Sequence, residues 1–317
     1  MSFYLVAGQG ASTAPAPAGQ HLPTQRPRRY PSDTDDDEWE VMAAYVPVGG
    51  TTARGGCSVQ YPRRDVVDGI RYVDRTSCQW RALPADFPPW DTVYHYFRTW
   101  TRDGTLTRLH DGLRVQLRQA QGRNADPSAA AADSQSVRAA ETVAKTSRGY
   151  DAGKKINGRK RHIVVDTCGL LLIVLVTGAQ VQDRDAARLL LSALRTCFPS
   201  VRLLWADGGY SGQLVEWAAT VLTLTVQIVR KLTGQVGFQV LPRRWVAERT
   251  FAWINRCRRT VRDYERRFAA LEIERNEIRK EAVKLQRELA HRQLPAHMKL
   301  LSWARRGAAR LLRLIRT

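Results

Sequence analysis

An apolar run that ends in an acid and a glycine pair, Val201-Arg-Leu-Leu-Trp-Ala-Asp207-Gly-Gly-Tyr-Ser-Gly212, sets a carboxylate where a buried strand gives way to a turn. In open α/β sheets chemistry gathers at the carboxyl ends of strands, so Asp207 is expected at the rim, half dry, suited to a hard cation. Asp before Gly also caps helices and orders turns, and for Asp207 alone that reading stays open. Two more acids widen the context. Asp133 closes the run Ala129-Ala-Ala-Ala and precedes Ser-Gln-Ser-Val137, while Glu248 falls among Val246, Phe251 and Ile254 on a helical pattern. Glu248 is therefore expected close to a buried face, where an unpaired acid is costly. Asp133 and Asp207 are 74 residues apart, and Asp207 and Glu248 are 41 apart. Hard divalent ions prefer carboxylate oxygens, and two such ions can clamp the attacking and leaving oxygens of an in-line phosphoryl transfer.

The elements that must position these acids read as α/β. Residues 129–137 form a weak strand, since alanine is a poor strand former. Residues 160–166 and 170–176, joined by Thr-Cys-Gly, read as a hairpin of antiparallel strands. A helix over 183–197 follows, with Ala186, Leu189, Leu190 and Leu194 on one face and Asp183 as its expected N-cap. Then come the strand carrying Asp207, a helix over 213–219, a strand over 222–229 and a closing helix from Trp245 to Arg259. Three strands, a helix, a strand, a helix, a strand and a helix is the order of a ribonuclease-H-like fold, a mixed sheet flanked by helices. In that fold Asp133, Asp207 and Glu248 converge. The polar stretch Asn124-Ala-Asp-Pro-Ser128 marks its start, giving a catalytic domain over 124–265.

Upstream, residues 1–29 are rich in Ala, Pro, Gly, Ser, Thr and Gln without periodicity and read as a disordered leader. Residues 30–123 read as a helical domain. Ser32-Asp-Thr-Asp35 offers caps ahead of a helix through Tyr45, and two more apolar patterns run over 63–73 and 90–100, the last two separated by a Pro-rich turn. Short helices with tight turns and basic, aromatic surfaces suit a helix-turn-helix-like DNA reader, with Thr92, His95, Arg98 and Arg102 on the polar side of its reading helix. A three-helix packing or dimer module has the same pattern. A second basic cluster, Lys154, Lys155, Arg159, Lys160 and Arg161, is expected just before the second strand, beside Asp133, where it would neutralise phosphates. The alternative for that cluster is a solvated loop.

Charge supports a polyanionic partner. Fifty Lys and Arg face thirty Asp and Glu, a formal net charge of +20, which points to nucleic acid before membrane. No apolar run of about 18 residues exists to span a bilayer, and the N-terminus lacks a signal-peptide pattern, so the expected location is cytoplasmic and nucleoid-associated, with no membrane partner. Five scattered cysteines without a C-x-x-C pair indicate neither a disulfide framework nor a zinc site.

Several blocks together resemble the DDE transposases of bacterial insertion sequences, of the insertion-sequence-five type. They are Arg29-Tyr-Pro-Ser-Asp33 with Glu38-Trp39, Cys78-Gln-Trp-Arg-Ala-Leu-Pro-Ala-Asp-Phe-Pro-Pro-Trp90, Asp133-Ser-Gln-Ser-Val137, Gly149 to His162, Ala206-Asp-Gly-Gly-Tyr210 and Arg243-Arg-Trp-Val-Ala-Glu-Arg-Thr-Phe251. The resemblance implies Asp133, Asp207 and Glu248 as the metal-binding catalytic triad, two Mg²⁺ ions with Mn²⁺ as a substitute, and double-stranded DNA as partner. That DNA comprises the element's terminal inverted repeats and its target, bound by a homodimer. The implied activity is cleavage of DNA strands and joining of 3′ ends to target DNA. In the wider group Tyr-x2-Arg-x3-Glu-x6-Lys surrounds the glutamate; here Arg244 fits, Leu241 replaces Tyr and Asn255 replaces Lys, leaving Arg256 or Arg258 to supply the charge. An inactive or repurposed DNA-binding copy and a ribonuclease-H-like nuclease are the alternative readings.

The chain departs from these relatives between Arg266 and Leu294-Pro-Ala-His297. Phe268, Leu271, Arg275, Ile278, Ala282, Leu285 and Leu289 alternate by three and four, a coiled-coil seam weakened by Arg and Ala. The spacing predicts a helical extension over 266–293, followed by a basic amphipathic C-terminal helix over 294–317. From Leu241 to Thr317 there are 21 Lys and Arg against 8 Asp and Glu. Deleting 267–293 is expected to leave a cooperative thermal transition; a melting temperature lowered by more than about 10 °C would show that the segment packs into the core.

Overall fold

The computed structural model describes residues 21–24, 26–48, 60–229 and 245–265. The extension over 266–293, the basic C-terminal helix, Leu241, Arg244 and most of the leader lie outside the described residues.

Four helices come first: α1 (Asp36–Ala43), α2 (Arg63–Thr76), α3 (Trp90–Arg102) and α4 (Thr105–Ala120). Asp35 caps α1, its Oδ1 accepting from the Glu38 N–H at 2.7 Å. Val46, Val66, Val67, Ile70, Val93 and Trp100 form the core between them. A Cβ on Gly112 of α4 would lie 2.2 Å from the Tyr45 ring, so only glycine admits that ring. The sequence pattern missed α4 as a separate helix because its buried side includes Asp111, Arg114 and Arg118 instead of an apolar stripe. The folded part also begins before residue 30. Arg26 bonds Asp33 at 3.1 and 3.0 Å and lies 4.0 Å over the Phe87 ring, so the expected leader is anchored at its end.

The α/β part contains β1 (Ala129–Arg138), β2 (Gly149–Asp151), β3 (Ile156–Asp166), β4 (Leu171–Gly178), α5 (Asp183–Cys197), β5 (Leu203–Ala206), α6 (Gln213–Leu222), β6 (Thr225–Ile228), α7 (Trp245–Ile254) and α8 (Arg258–Val261). β3 runs antiparallel to β1, β4 and β2, while β5 is parallel to both β1 and β6. This is the mixed sheet expected of a ribonuclease-H-like domain, with one short added strand, β2. Ala130, Ala132 and Leu204 pack under α5 and α6 on one face; Ala131, Ile163 and Val165 pack under Ala247 and Phe251 of α7 on the other. Burial on both faces is what makes an alanine run serve as a strand, since small side chains let helices approach.

Several expected boundaries shift. The last strand starts at Thr225, not Leu222, because α6 continues to Leu222 and ends on Thr223 in the left-handed region. The closing helix stops at Ile254, and a separate turn of helix begins at Arg258. Lys160 and Arg161 do belong to the second strand, as expected, but that strand begins at Ile156 and takes in Arg159 too.

The helical part is tied to the sheet at two places. Arg118 of α4 pairs with the fully buried Asp166 at the end of β3, whose Oδ1 also accepts from the Cys168 and Leu170 N–H groups, each at 2.8 Å. At the second, α8 packs on α2, with the Arg75 guanidinium donating to the Arg256 carbonyl at 3.1 Å and Arg259 to that of Cys78 at 3.3 Å. Removing one partner of a buried pair leaves an uncompensated charge. Arg118→Met is therefore expected to destabilise the protein by about 3–5 kcal/mol, read by denaturant unfolding, with Asp166→Asn costing less.

Candidate active site

Asp133 lies on β1 directly opposite Ile163 of β3, on the face covered by α7. The parallel register pairs Ala129 with Leu203, Ala130 with Leu204 and Ala131 with Trp205. Two residues further on, the same register sets Asp133 level with Asp207, just where β5 ends. Adjacent strands are roughly 4.8 Å apart, so the two carboxylates are near neighbours although 74 residues separate them. Both are half-buried. Asp207 does also order its turn, since its Oδ1 accepts from the Gly209 N–H at 2.9 Å. The two readings of that residue are thus compatible.

Glu248 rides on α7, which packs on β1 and β3. The expectation that it lies near the buried face is corrected: Glu248 is exposed. Ala247, Thr250 and Phe251 are the residues turned inward, and one position along a helix rotates Glu248 out of that stripe. Beside it the Arg249 guanidinium lies between the exposed rings of Trp245 and Trp253, at 4.8 and 4.7 Å, and donates to the Cys168 carbonyl at 2.8 Å.

On the opposite face of the sheet stands a fourth acid. Asp183 was expected as the N-cap of α5, but Gln182 occupies that place and Asp183 is the first helical residue. Its carboxylate is drawn elsewhere: Oδ1 accepts from Ser134 Oγ at 2.9 Å and lies 3.3 Å from Lys160 Nζ and 3.7 Å from His162 Nδ1. Burial pushes the His162 pKa down to about 4, against the pull of Asp183, so the ring is neutral at physiological pH. Next to these acids Tyr210 is 0 % exposed, and its hydroxyl has no hydrogen-bond partner among the described residues. Burial and the charges of Asp183, Asp133 and Asp207 raise its pKa. The signal for Asp183 in the sequence was its place at a strand-to-helix junction, and helix capping explained that place too readily.

Asp133, Asp183 and Asp207, whose charges act on Tyr210, offer carboxylate oxygens, the donors that hard cations prefer. Among the described residues no three His, Cys, Asp or Glu side chains are gathered tightly enough to hold one ion.

The basic cluster divides in two. Lys154 and Lys155 occupy the exposed turn between β2 and β3, and Lys154 Nζ reaches the Ser134 carbonyl at 3.4 Å, next to Asp133. Arg159, Lys160 and Arg161 are buried in β3. Arg159 pairs with Asp263 at 2.8 Å; Lys160 donates to the Val181 carbonyl at 2.9 Å; Arg161 donates to Asn255 Oδ1 at 2.7 Å and the Thr260 carbonyl at 3.1 Å. These three are committed within the protein, and Asn255, which stands at the position of the family lysine, accepts one of their bonds. Arg256 and Arg258 are exposed around the break between α7 and α8. On α3, His95, Arg98 and Arg102 are exposed, with Arg98 5.7 Å over the Tyr94 ring.

Residues 124–273 match a family model described as "Transposase DDE domain", and residues 34–110 match one described as "Putative transposase of IS4/5 family". A curated relative from Burkholderia cepacia, "Putative transposase for insertion sequence element IS402", is 32% identical over 117 residues, covering 35% of this chain and 55% of the relative. A second from the same organism, "Insertion element IS402 uncharacterized 16.2 kDa protein", is 32% identical over 108 residues, 33% of this chain and 72% of the relative. The match thus spans about half the length of the first relative. No solved structure matches. The chain belongs to the DDE transposases of bacterial insertion sequences. No helix among the described residues is long and apolar enough to cross a membrane.

The split of the basic cluster has a measurable consequence. Arg161→Ala removes a buried cation and strands its acceptors, so it is expected to cost roughly 2–3 kcal/mol in denaturant unfolding. Lys154→Ala and Lys155→Ala should each stay within about 0.5 kcal/mol of the parent protein.

Proposed function

We propose that this protein is an active transposase that binds the ends of its insertion sequence and performs strand cleavage and strand transfer at Asp133, Asp207 and Glu248. The observation that carries this reading is the parallel register setting Asp133 beside Asp207 at the end of β5, inside the segment that matches the DDE domain. Asp133 and Asp207 would hold two divalent ions, Mg²⁺ or Mn²⁺, with Glu248 reaching over from α7. When bound, such ions supply charge stabilisation at the attacking and leaving oxygens of a phosphodiester.

The chain's own residues do the rest. Lys154 and Lys155, on the turn next to Asp133, bind backbone phosphates and bring the DNA to the acids. His95, Arg98 and Arg102 offer the exposed side of α3 to the terminal repeat, as a helix-turn-helix-like reader would, and Arg256 and Arg258 add phosphate contacts beside Glu248. In the first reaction a water oxygen bonds to the phosphorus at the element end, the bond to the 3′ oxygen breaks, and the 3′ hydroxyl leaves with a proton. In the second that hydroxyl attacks a target phosphodiester and a target 3′ oxygen departs. No protein side chain is covalently modified. A homodimer on DNA would hold the two ends together, in the cytoplasm with the nucleoid.

Asp133→Ala, Asp207→Ala and Glu248→Ala are each expected to reduce cleavage of a labelled element end by at least a thousandfold, with end binding within about threefold of the parent. Near-native cleavage by any one of them would remove that residue from the site.

A further inference from the structure

The hairpin of β2 and β3 does not run straight out from the sheet. Asp151 pairs with Ile156 across the hairpin, whereas Ser136 of β1 pairs with Lys160, four residues further along β3. Ser136 Oγ nevertheless donates to Asp151 Oδ2 at 2.6 Å, and Lys154 Nζ reaches the Ser134 carbonyl at 3.4 Å. The hairpin is therefore folded back over β1, with its tip brought to the residue beside Asp133. Gly158 permits the fold, because a Cβ there would lie 1.9 Å from the Val137 carbonyl oxygen. Asp151 Oδ1 accepts from the Lys154 N–H at 3.0 Å and closes the turn.

This anchored hairpin carries two features that its own packing does not require. The first is Lys155, whose φ of 53° lies in the left-handed region. The other two non-glycine residues with positive φ among those described, Ser77 and Thr223, end helices, where that conformation is ordinary. Lys155 ends no helix. Glycine would fit its conformation better, and Gly153, two residues earlier, is not left-handed. The strain thus keeps a lysine at an exposed point of the tip. Tyr150 is the second feature. At 56 % it is the most exposed large apolar side chain among the described residues, and it stands directly opposite the exposed Asn157. With Asp151 turned in to Ser136 and Lys160, residues 150–157 present an aromatic ring, an amide and two ammonium groups to solvent, and no exposed acid.

We propose that the β2–β3 hairpin is a DNA grip beside the candidate site, with Lys155 held on a backbone phosphate and Tyr150 laid against the sugar and base of a neighbouring nucleotide. This rests on the DNA-binding reading above and adds to its paired lysines an aromatic contact and a fixed frame. Cations with an aromatic ring between them match a nucleotide chain, whose phosphates alternate with apolar sugar and base faces. An apolar protein surface would leave the two ammonium groups unanswered, and a phosphate by itself would not engage the ring.

The test is the affinity of the full-length protein for random-sequence duplex DNA, measured from about 50 to 200 mM salt. Lys155→Gly removes the ammonium and suits the left-handed backbone. It is expected to melt at or above the parent temperature and yet to bind about threefold or more weakly at low salt, with the slope of log affinity against log salt smaller by about one. Tyr150→Ala is expected to weaken binding by about fivefold at every salt concentration, with the slope unchanged. Parent-like affinity in either variant would overturn the grip and leave the hairpin a structural turn. So would a loss in Tyr150→Ala accompanied by a smaller sedimenting species in the absence of DNA, which would assign the ring to a second copy of the chain. If the parent protein itself does not bind duplex DNA, the DNA-binding reading falls, and the grip with it.

Discussion

Parallel pairing of β1 with β5 is the constraint on which the site depends. It brings two acids from distant parts of the chain to one level at the end of a strand, where each repels the other. The fold tolerates this because the sheet is held from outside the site. The alanines just before Asp133, turned alternately to the two faces of the sheet, let α5 and α7 close on opposite sides, and the buried cations of β3 sit one strand away. Asp133 and Asp207 are consequently positioned by backbone that other interactions stabilise.

Those buried cations are costly to desolvate and are each answered by a specific acceptor. Arg159 reaches Asp263, Arg161 reaches Asn255 and Thr260, and Lys160 lies between Asp151 and Asp183. Asn255, Thr260 and Asp263 all follow the helix that carries Glu248, so β3 anchors that segment to the strand beside Asp133. The Asn255 departure from the family pattern is absorbed here: an amide oxygen suits the neighbouring arginine, where a lysine would meet it as a like charge.

The helical part and the sheet behave as coupled layers. The Arg118 and Asp166 pair ties α4 to the β3–β4 turn, while α8 and the loop before it tie the other end to α2. The same Cys168 to Leu170 turn that wraps Asp166 also accepts from Arg249 and Thr250 of α7, with Thr250 Oγ1 donating to the Gly169 carbonyl at 2.7 Å. A continuous set of hydrogen bonds thus runs from α4 through this turn to α7, one residue from Glu248.

Local patterns were enough for much of this. The hairpin of β3 and β4, the full span of α5, the strand ending in Asp207 and the cap of α1 are all written in periodicity and turn residues, because each is decided by neighbours within a few positions. Spacing and resemblance marked Asp133, Asp207 and Glu248 as candidates, and the register of β1 with β5 sets the first two side by side. What only the tertiary structure decided concerns residues whose partners are far away in the chain. Arg159, Lys160 and Arg161 look like an open basic patch in sequence, yet acceptors up to about a hundred residues distant draw them into the sheet. Asp183 looks like a cap until Ser134, 49 residues earlier, claims its oxygen. Glu248 looks inward by composition, and a rotation of one helical position turns it out. A charged side chain is placed by whichever opposite charge or hydrogen-bond partner the fold delivers, and that choice is made in space after the strands have paired.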